Sequence, residues 1–126
     1  MESPVSRTAG GDDVRAAVLE HVAAFNARDT GRLLAGFAAD AVWVTGQDRF
    51  AGHGELATLF DAGLWALEPH LEVRALICAE RDAAAQLHER LTVDGETREF
   101  DIAVFFELSG GLITRAKVYR EGSADL

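Results

Sequence analysis

The chain is predicted to fold as an α+β domain, a cone-shaped curved antiparallel sheet packed with three N-terminal helices. Three observations predict it. From His70 to Arg120 the sequence reads as four consecutive strands with almost no helical signal, whereas the first half reads as three helices and one short strand. Helices that precede a strand meander cover one face of an antiparallel sheet. A chain of 126 residues can bury both layers only if the sheet curls, and a curled sheet closed by helices leaves a pocket.

Each element has a local reason. Asp12 or Asp13 can cap a helix running to about Ala27, whose Val14, Ala17, Val18, Val22 and Phe25 recur at spacings of three and four and share a face. Asn26 to Asp29 breaks it, and Asp29 or Thr30 caps a short second helix carrying Leu33, Leu34 and Phe37. Ala41 to Thr45 is rich in strand formers, Gly46-Gln47-Asp48 turns the chain, and Arg49 to Gly52 adds a short extended piece. Gly52-His53-Gly54-Glu55 opens the third helix, with Leu56, Leu59, Phe60, Gly63 and Leu67 as its buried stripe, and Pro69 ends it. Strands follow at about 70–79, 83–93, 97–108 and 112–121. Val93-Asp94-Gly95-Glu96 and Ser109-Gly110-Gly111 supply the hairpin turns.

The remaining composition narrows the function classes. Residues 1–11, rich in Ser, Gly and Thr, read as a flexible tail without the apolar centre of a secretory signal, and residues 12–126 read as a single domain. A net charge of −9 disfavours nucleic acid and anionic membrane surfaces as partners. No apolar run is long enough for a membrane span, so a cytoplasmic location is expected. The single cysteine, Cys78, lies among Leu76, Ile77 and Ala79 and reads as a core thiol. His21 and His70 fall on mixed surfaces with no partner at ligand spacing, and no metal site or cofactor motif is expected.

The order of elements resembles the nuclear transport factor 2-like superfamily and, within it, the SnoaL-like group, over nearly the whole chain from about Asp13 to Glu121. Three pieces carry the resemblance: Phe25-Asn26-Ala27-Arg28-Asp29 at the end of the first helix, Phe37-Ala38-Ala39-Asp40-Ala41-Val42-Trp43 leading into the first strand, and the last hairpin, Val104 to Leu108 with Gly111 to Thr114 and Val118-Tyr119. The fold hosts several chemistries, so it does not settle function. The general-base Asp of ketosteroid isomerase-like members would fall at Thr45 and their oxyanion-hole acid near Ile102. The Arg and two Asp of limonene epoxide hydrolase-like members would fall at Ala85, Leu87 and Val118. Both acid-base sets are absent from these positions. The resemblance further implies a homodimer through the outer sheet face.

Strand alternation then selects candidates. On residues 83–93 one face carries Ala85, Leu87, Glu89, Leu91 and Val93, and the other Gln86, His88, Arg90 and Thr92. If the apolar face points inward, Glu89 is a desolvated general acid or base; the competing reading leaves it solvated or paired with an Arg. A register shifted by one residue would instead bring in His88, which titrates near neutrality. Phe100, Ile102, Val104 and Phe106 form an inner wall, with Ala103 and Phe105 as outer dimer contacts. Val118 and Arg120 share a face of the last strand, and Arg120 can bind a carboxylate or enolate oxygen or form an ion pair with Glu89 or Glu121. Trp43 and Thr45 add an aromatic wall and a neutral hydrogen-bonding group, Phe60 contributes from the third helix, and His53 lies at the rim.

These residues predict a small-molecule-binding protein, a cofactor-independent isomerase, cyclase or hydratase/dehydratase acting on a small, largely apolar ligand. Glu89, His88 and Arg120 are its catalytic candidates. The alternative is a non-catalytic dimeric ligand-binding or protein-association domain of the same fold.

Overall fold

The computed structural model describes residues 3–120, with the backbone alone for residues 3–10. Helix α1 spans Ser3–Asn26, α2 Thr30–Ala35 and α3 Gly52–Thr58; the strands are β1 Phe37–Thr45, β2 Asp48–Ala51, β3 His70–Cys78, β4 Asp82–Val93, β5 Glu96–Ser109 and β6 Leu112–Arg120. Asp12 and Asp13 lie inside α1 rather than capping it, because α1 begins at Ser3. Once nucleated, a helix extends at little cost per residue. Most of the segment expected as a tail therefore belongs to α1, and residues 1–2 and 121–126, Glu121 among them, lie outside the described residues.

The six strands form one curved, unclosed sheet in the order β2-β1-β6-β5-β4-β3. All neighbours are antiparallel except β1 and β6, which run parallel with Thr45 opposite Val118. This parallel pair departs from the expected wholly antiparallel sheet, and it follows from topology. The chain leaves β1 through β2 and α3, lays down the meander, and returns to the free side of β1. Two of the three meander turns use glycine for backbone reasons: Asp94 and Gly95 adopt φ of 53° and 80°, and Gly110 and Gly111 59° and 82°, the pair of positive angles that a two-residue hairpin matching the strand twist requires.

One face of α1 presents Val14, Val18, Val22 and Phe25 to the concave side of the sheet, where they join Leu87, Val104, Phe106 and Ala116 in the core. Asn26 closes α1 by pairing with the backbone of the edge strand: its Nδ2 donates to Leu71 O at 2.9 Å, and its Oδ1 accepts from Leu71 N at 2.8 Å. Asp29 caps α2 by accepting from Arg32 N.

The third helix does not stay α-helical. It widens into a π-helical turn over Leu59–Leu64 and tightens into a 3-10 turn over Trp65–Leu67. In a π-turn residues five apart fall on one side. Phe60 and Trp65 consequently stack, with centroids 5.5 Å apart, and Trp65 Nε1 donates to Thr30 Oγ1 at 2.8 Å. Glu68, with φ of 51°, and Pro69 then turn the chain into β3.

Candidate functional site

The concave side of the sheet holds a cavity of about 60 Å³ between α1, the π-turn and the strands. Strand alternation sends Leu87 and Glu89 of β4, Ile102 and Val104 of β5, and Val118 and Arg120 of β6 into it, and β1 adds Trp43 and Thr45. The helical side contributes His21 and Phe25 from α1, with Leu59 and Leu64 from the two ends of the π-turn. The lining is mostly apolar with a few convergent polar groups, the usual make-up of a small-molecule site.

Glu89 is the one buried carboxylate among the described residues, 4% exposed. Its charge is met by Arg120, whose Nη2 donates to Glu89 Oε1 at 2.6 Å and whose Nε donates to the same oxygen at 3.2 Å. The guanidinium also lies over the Phe100 ring, 5.4 Å from its centroid. The Arg120 side chain is 38% exposed against 6% for Glu89, so Arg120 stands at the cavity mouth. Both readings of Glu89 made from the sequence therefore meet in one geometry, an inward carboxylate that is also ion-paired.

His88 is not in the cavity. It is the alternate neighbour of Glu89 on β4 and points to the outer face. Its Nε2 donates to Glu99 at 2.6 Å and its Nδ1 to Asp101 at 3.1 Å. These two carboxylates, Glu99 foremost, raise its pKa and favour the imidazolium. A doubly bonded surface imidazolium has no route to the cavity. His53 does not line it either: its Nε2 donates to Phe37 O at 3.0 Å, tying the start of α3 to β1. Phe60 and Phe106 are fully packed core residues behind the lining, and Phe100 of β5 stands at its edge, opposite Glu89 and under the Arg120 guanidinium.

His21 is the residue that sequence reasoning missed. It is 4% exposed and lines the cavity. Four aromatic rings surround it, those of Phe25, Phe37, Trp43 and Phe106, at centroid distances of 5.4 to 6.5 Å. Its Nδ1 has no hydrogen-bond partner among the described residues. Burial lowers its pKa to about 4, so the imidazole is neutral at pH 7. The signal was present in the chain: His21 sits three residues after Val18 and four before Phe25, within the apolar stripe of α1.

The positions at which related folds carry other acid-base sets hold neutral side chains here. Thr45, Leu87, Ile102 and Val118 all line the cavity, and Ala85 is buried beside them. Among the described residues no group of three or more His, Cys, Asp or Glu could hold a metal ion, and no helix is long and apolar enough to cross a membrane. Cys78 is partly buried against the core rather than inside it.

Solved structures of this fold are numerous. An epoxide hydrolase of the LEH-like type from M. tuberculosis is 19% identical, with a TM-score of 0.81 over 88% of this chain and 84% of that one. TerC, co-crystallised with polyporic acid, is 20% identical, with a TM-score of 0.80 over 86% of this chain and 92% of that one. An NTF2-like protein of unknown function from Burkholderia pseudomallei is 19% identical, with a TM-score of 0.79 over 86% and 91%. At such identities the likeness is one of fold. No curated protein shows significant similarity to the chain. The model of the SnoaL-like domain matches residues 18–116, from the middle of α1 to the middle of β6. The chain therefore belongs to the SnoaL-like domain family, within the nuclear transport factor 2-like fold.

Proposed function

We propose that this protein is a small-molecule-binding enzyme of the SnoaL-like type, a cofactor-independent isomerase, cyclase or hydratase/dehydratase acting on a small, largely apolar, carbonyl-bearing substrate. The observation that carries the reading is the buried Glu89–Arg120 pair on the wall of an apolar cavity. A carboxylate held in such a place can take a proton from the carbon next to a carbonyl and return it elsewhere. Arg120, partly solvent-facing, can move to the oxygen on which charge develops. Thr45 adds a neutral hydrogen-bonding group. A cavity of about 60 Å³ favours a compact substrate, since drug-sized ligands occupy roughly 300–1,000 Å³.

The protein acts as a homodimer in this reading, joined through the outer sheet face. Ile77, Phe105 and Tyr119 are large apolar side chains left exposed there, beside an open groove of about 390 Å³ along Ile77, Ala84 and Phe105.

The test is α-proton exchange in heavy water, followed by NMR for ketones from acetone to cyclohexanone. The wild type should accelerate exchange, and Glu89→Gln should lose that acceleration by about 100-fold or more. Ketone binding without exchange would overturn the catalytic reading and leave the ligand-binding alternative.

A further inference from the structure

The cavity contains a deeply buried polar group that neither the fold nor the Glu89–Arg120 pair uses. His21 is almost wholly removed from solvent, is walled by aromatic rings and has Nδ1 unpartnered among the described residues. A buried polar atom without a partner costs about 1–3 kcal/mol, and such atoms are uncommon in native interiors. A residue of the α1 core stripe could have been Leu or Phe at no such cost. The imidazole also lines the cavity, so a molecule entering it meets the ring.

The charge of the site narrows what that molecule is. Glu89 and Arg120 are the two charged residues of the lining, and they neutralise each other at 2.6 Å. His21 itself is uncharged at pH 7 because burial disfavours its imidazolium. An anionic ligand would have to displace Glu89 from Arg120, and a cation would meet Arg120 at the mouth. Both would also be stripped of water against Phe25, Trp43, Leu87 and Val104. A neutral imidazole offers one donor and one acceptor. A hydroxyl group offers both as well, so it can pair with His21 in either tautomer, whereas a carbonyl can pair with only one.

We propose that His21 is the recognition group of the cavity's deep wall and that it selects a small, uncharged ligand bearing a hydroxyl or enol group, which hydrogen-bonds to the imidazole. This rests on the proposed function and adds to the carbonyl-bearing substrate a hydroxyl or enol group that meets His21. His21 is a binding group here, and the proton transfer remains with Glu89. At about 60 Å³ the cavity is smaller than the roughly 150 Å³ that encloses a benzene ring, so a six-membered ring is accommodated only with part of it in the open mouth beside Arg120.

The experiment uses three probes that share one ring: phenol, benzene and benzoate, titrated at pH 7 into the full chain by calorimetry and followed by the imidazole ¹⁵N shifts of His21. Phenol should bind about two- to tenfold more tightly than benzene, the worth of one hydrogen bond. It should shift a His21 nitrogen that benzene leaves unmoved, and benzoate should bind least. In His21→Phe, phenol should lose its advantage over benzene. The wild-type comparison and the ¹⁵N shifts keep the test decisive should that variant fill the cavity. Equal binding of phenol and benzene with unmoved His21 nitrogens would overturn the His21 assignment alone. Tightest binding by benzoate would overturn the preference for a neutral ligand. No binding by any probe would overturn the cavity reading and this inference together.

Discussion

Arg120, at the end of β6, donates two hydrogen bonds to a single oxygen of Glu89 on β4, across the intervening β5. The carboxylate is buried and the guanidinium is at the mouth, so the two partners are unequally solvated. Removing Arg120 strands a charge that water cannot reach. Arg120→Met should therefore destabilise the fold by roughly 2–3 kcal/mol, below the ~3–5 kcal/mol of a fully buried pair because Arg120 keeps part of its hydration. Urea unfolding measures this, and an unchanged midpoint would show that Glu89 is solvated after all.

Removing both charges should behave differently. A buried ion pair replaced by apolar groups of similar volume is often neutral or stabilising, because desolvation costs as much as the attraction returns. The double variant Glu89→Leu/Arg120→Leu should unfold within about 1 kcal/mol of the wild type or above it. The same variant should lose all ketone exchange. That combination would identify the pair as present for chemistry, whereas a loss as large as that of Arg120→Met would make it a structural staple.

The strands were legible in the chain because their period of two and their turn residues are local signals. Asp94-Gly95 announces its hairpin through the positive φ that both residues must adopt. Once that turn sets the register, alternation alone places Glu89 inside and His88 outside. The helical side was less legible. The stripe read for the third helix assumed α-winding, and the π-turn instead turns Leu64 to the cavity alongside Leu59 and stacks Trp65 on Phe60. That winding is chosen by tertiary packing, including the Trp65–Thr30 hydrogen bond, which no local pattern encodes. His21 was overlooked for another reason. Histidine is taken for a surface residue, although its spacing from Val18 and Phe25 put it on the core face.

Asn26 gives the Phe25-to-Asp29 segment a physical purpose. Its amide makes a two-point pairing with the backbone of Leu71 on β3, an edge strand, and so occupies groups that would otherwise stand open. Asn26→Ala should cost about 2 kcal/mol, since it leaves a half-buried donor and acceptor unpaired. Denaturant unfolding should show a lower midpoint at unchanged m-value, and hydrogen exchange at the Leu71 amide should accelerate. Normal protection of that amide would contradict the clamp.

The outer face carries its own prediction. Phe105 and Tyr119 meet edge to face at 5.7 Å and are 55% and 49% exposed. Light scattering after size exclusion should give twice the 13.6 kDa chain mass for the wild type. Phe105→Glu should return a monomer with its circular dichroism unchanged, because the side chain is not part of the core. A wild-type monomer at micromolar concentration would sink the dimer.

His21 should leave a signature in the pH dependence of stability. Its folded pKa is depressed to about 4 from an ordinary 6.5, so between those values the unfolded chain binds the extra proton. Stability from this group is thus complete above pH 6.5 and drains away as pH falls towards 4, by up to about 3 kcal/mol. His88 has the opposite sense: its raised pKa gives a contribution complete below pH 6.5 and lost as pH rises through its folded value. The two windows are therefore separate. His21→Phe removes the orphaned nitrogen and should be about 1 kcal/mol more stable than the wild type at pH 7. That advantage should grow by about 2–3 kcal/mol at pH 4.5, where the wild type alone must keep an imidazole neutral. Paired urea melts at the two pH values read it directly, since the carboxylates titrate alike in both proteins. An advantage that stays constant with pH would mean that His21 protonates freely in the folded state and is open to water.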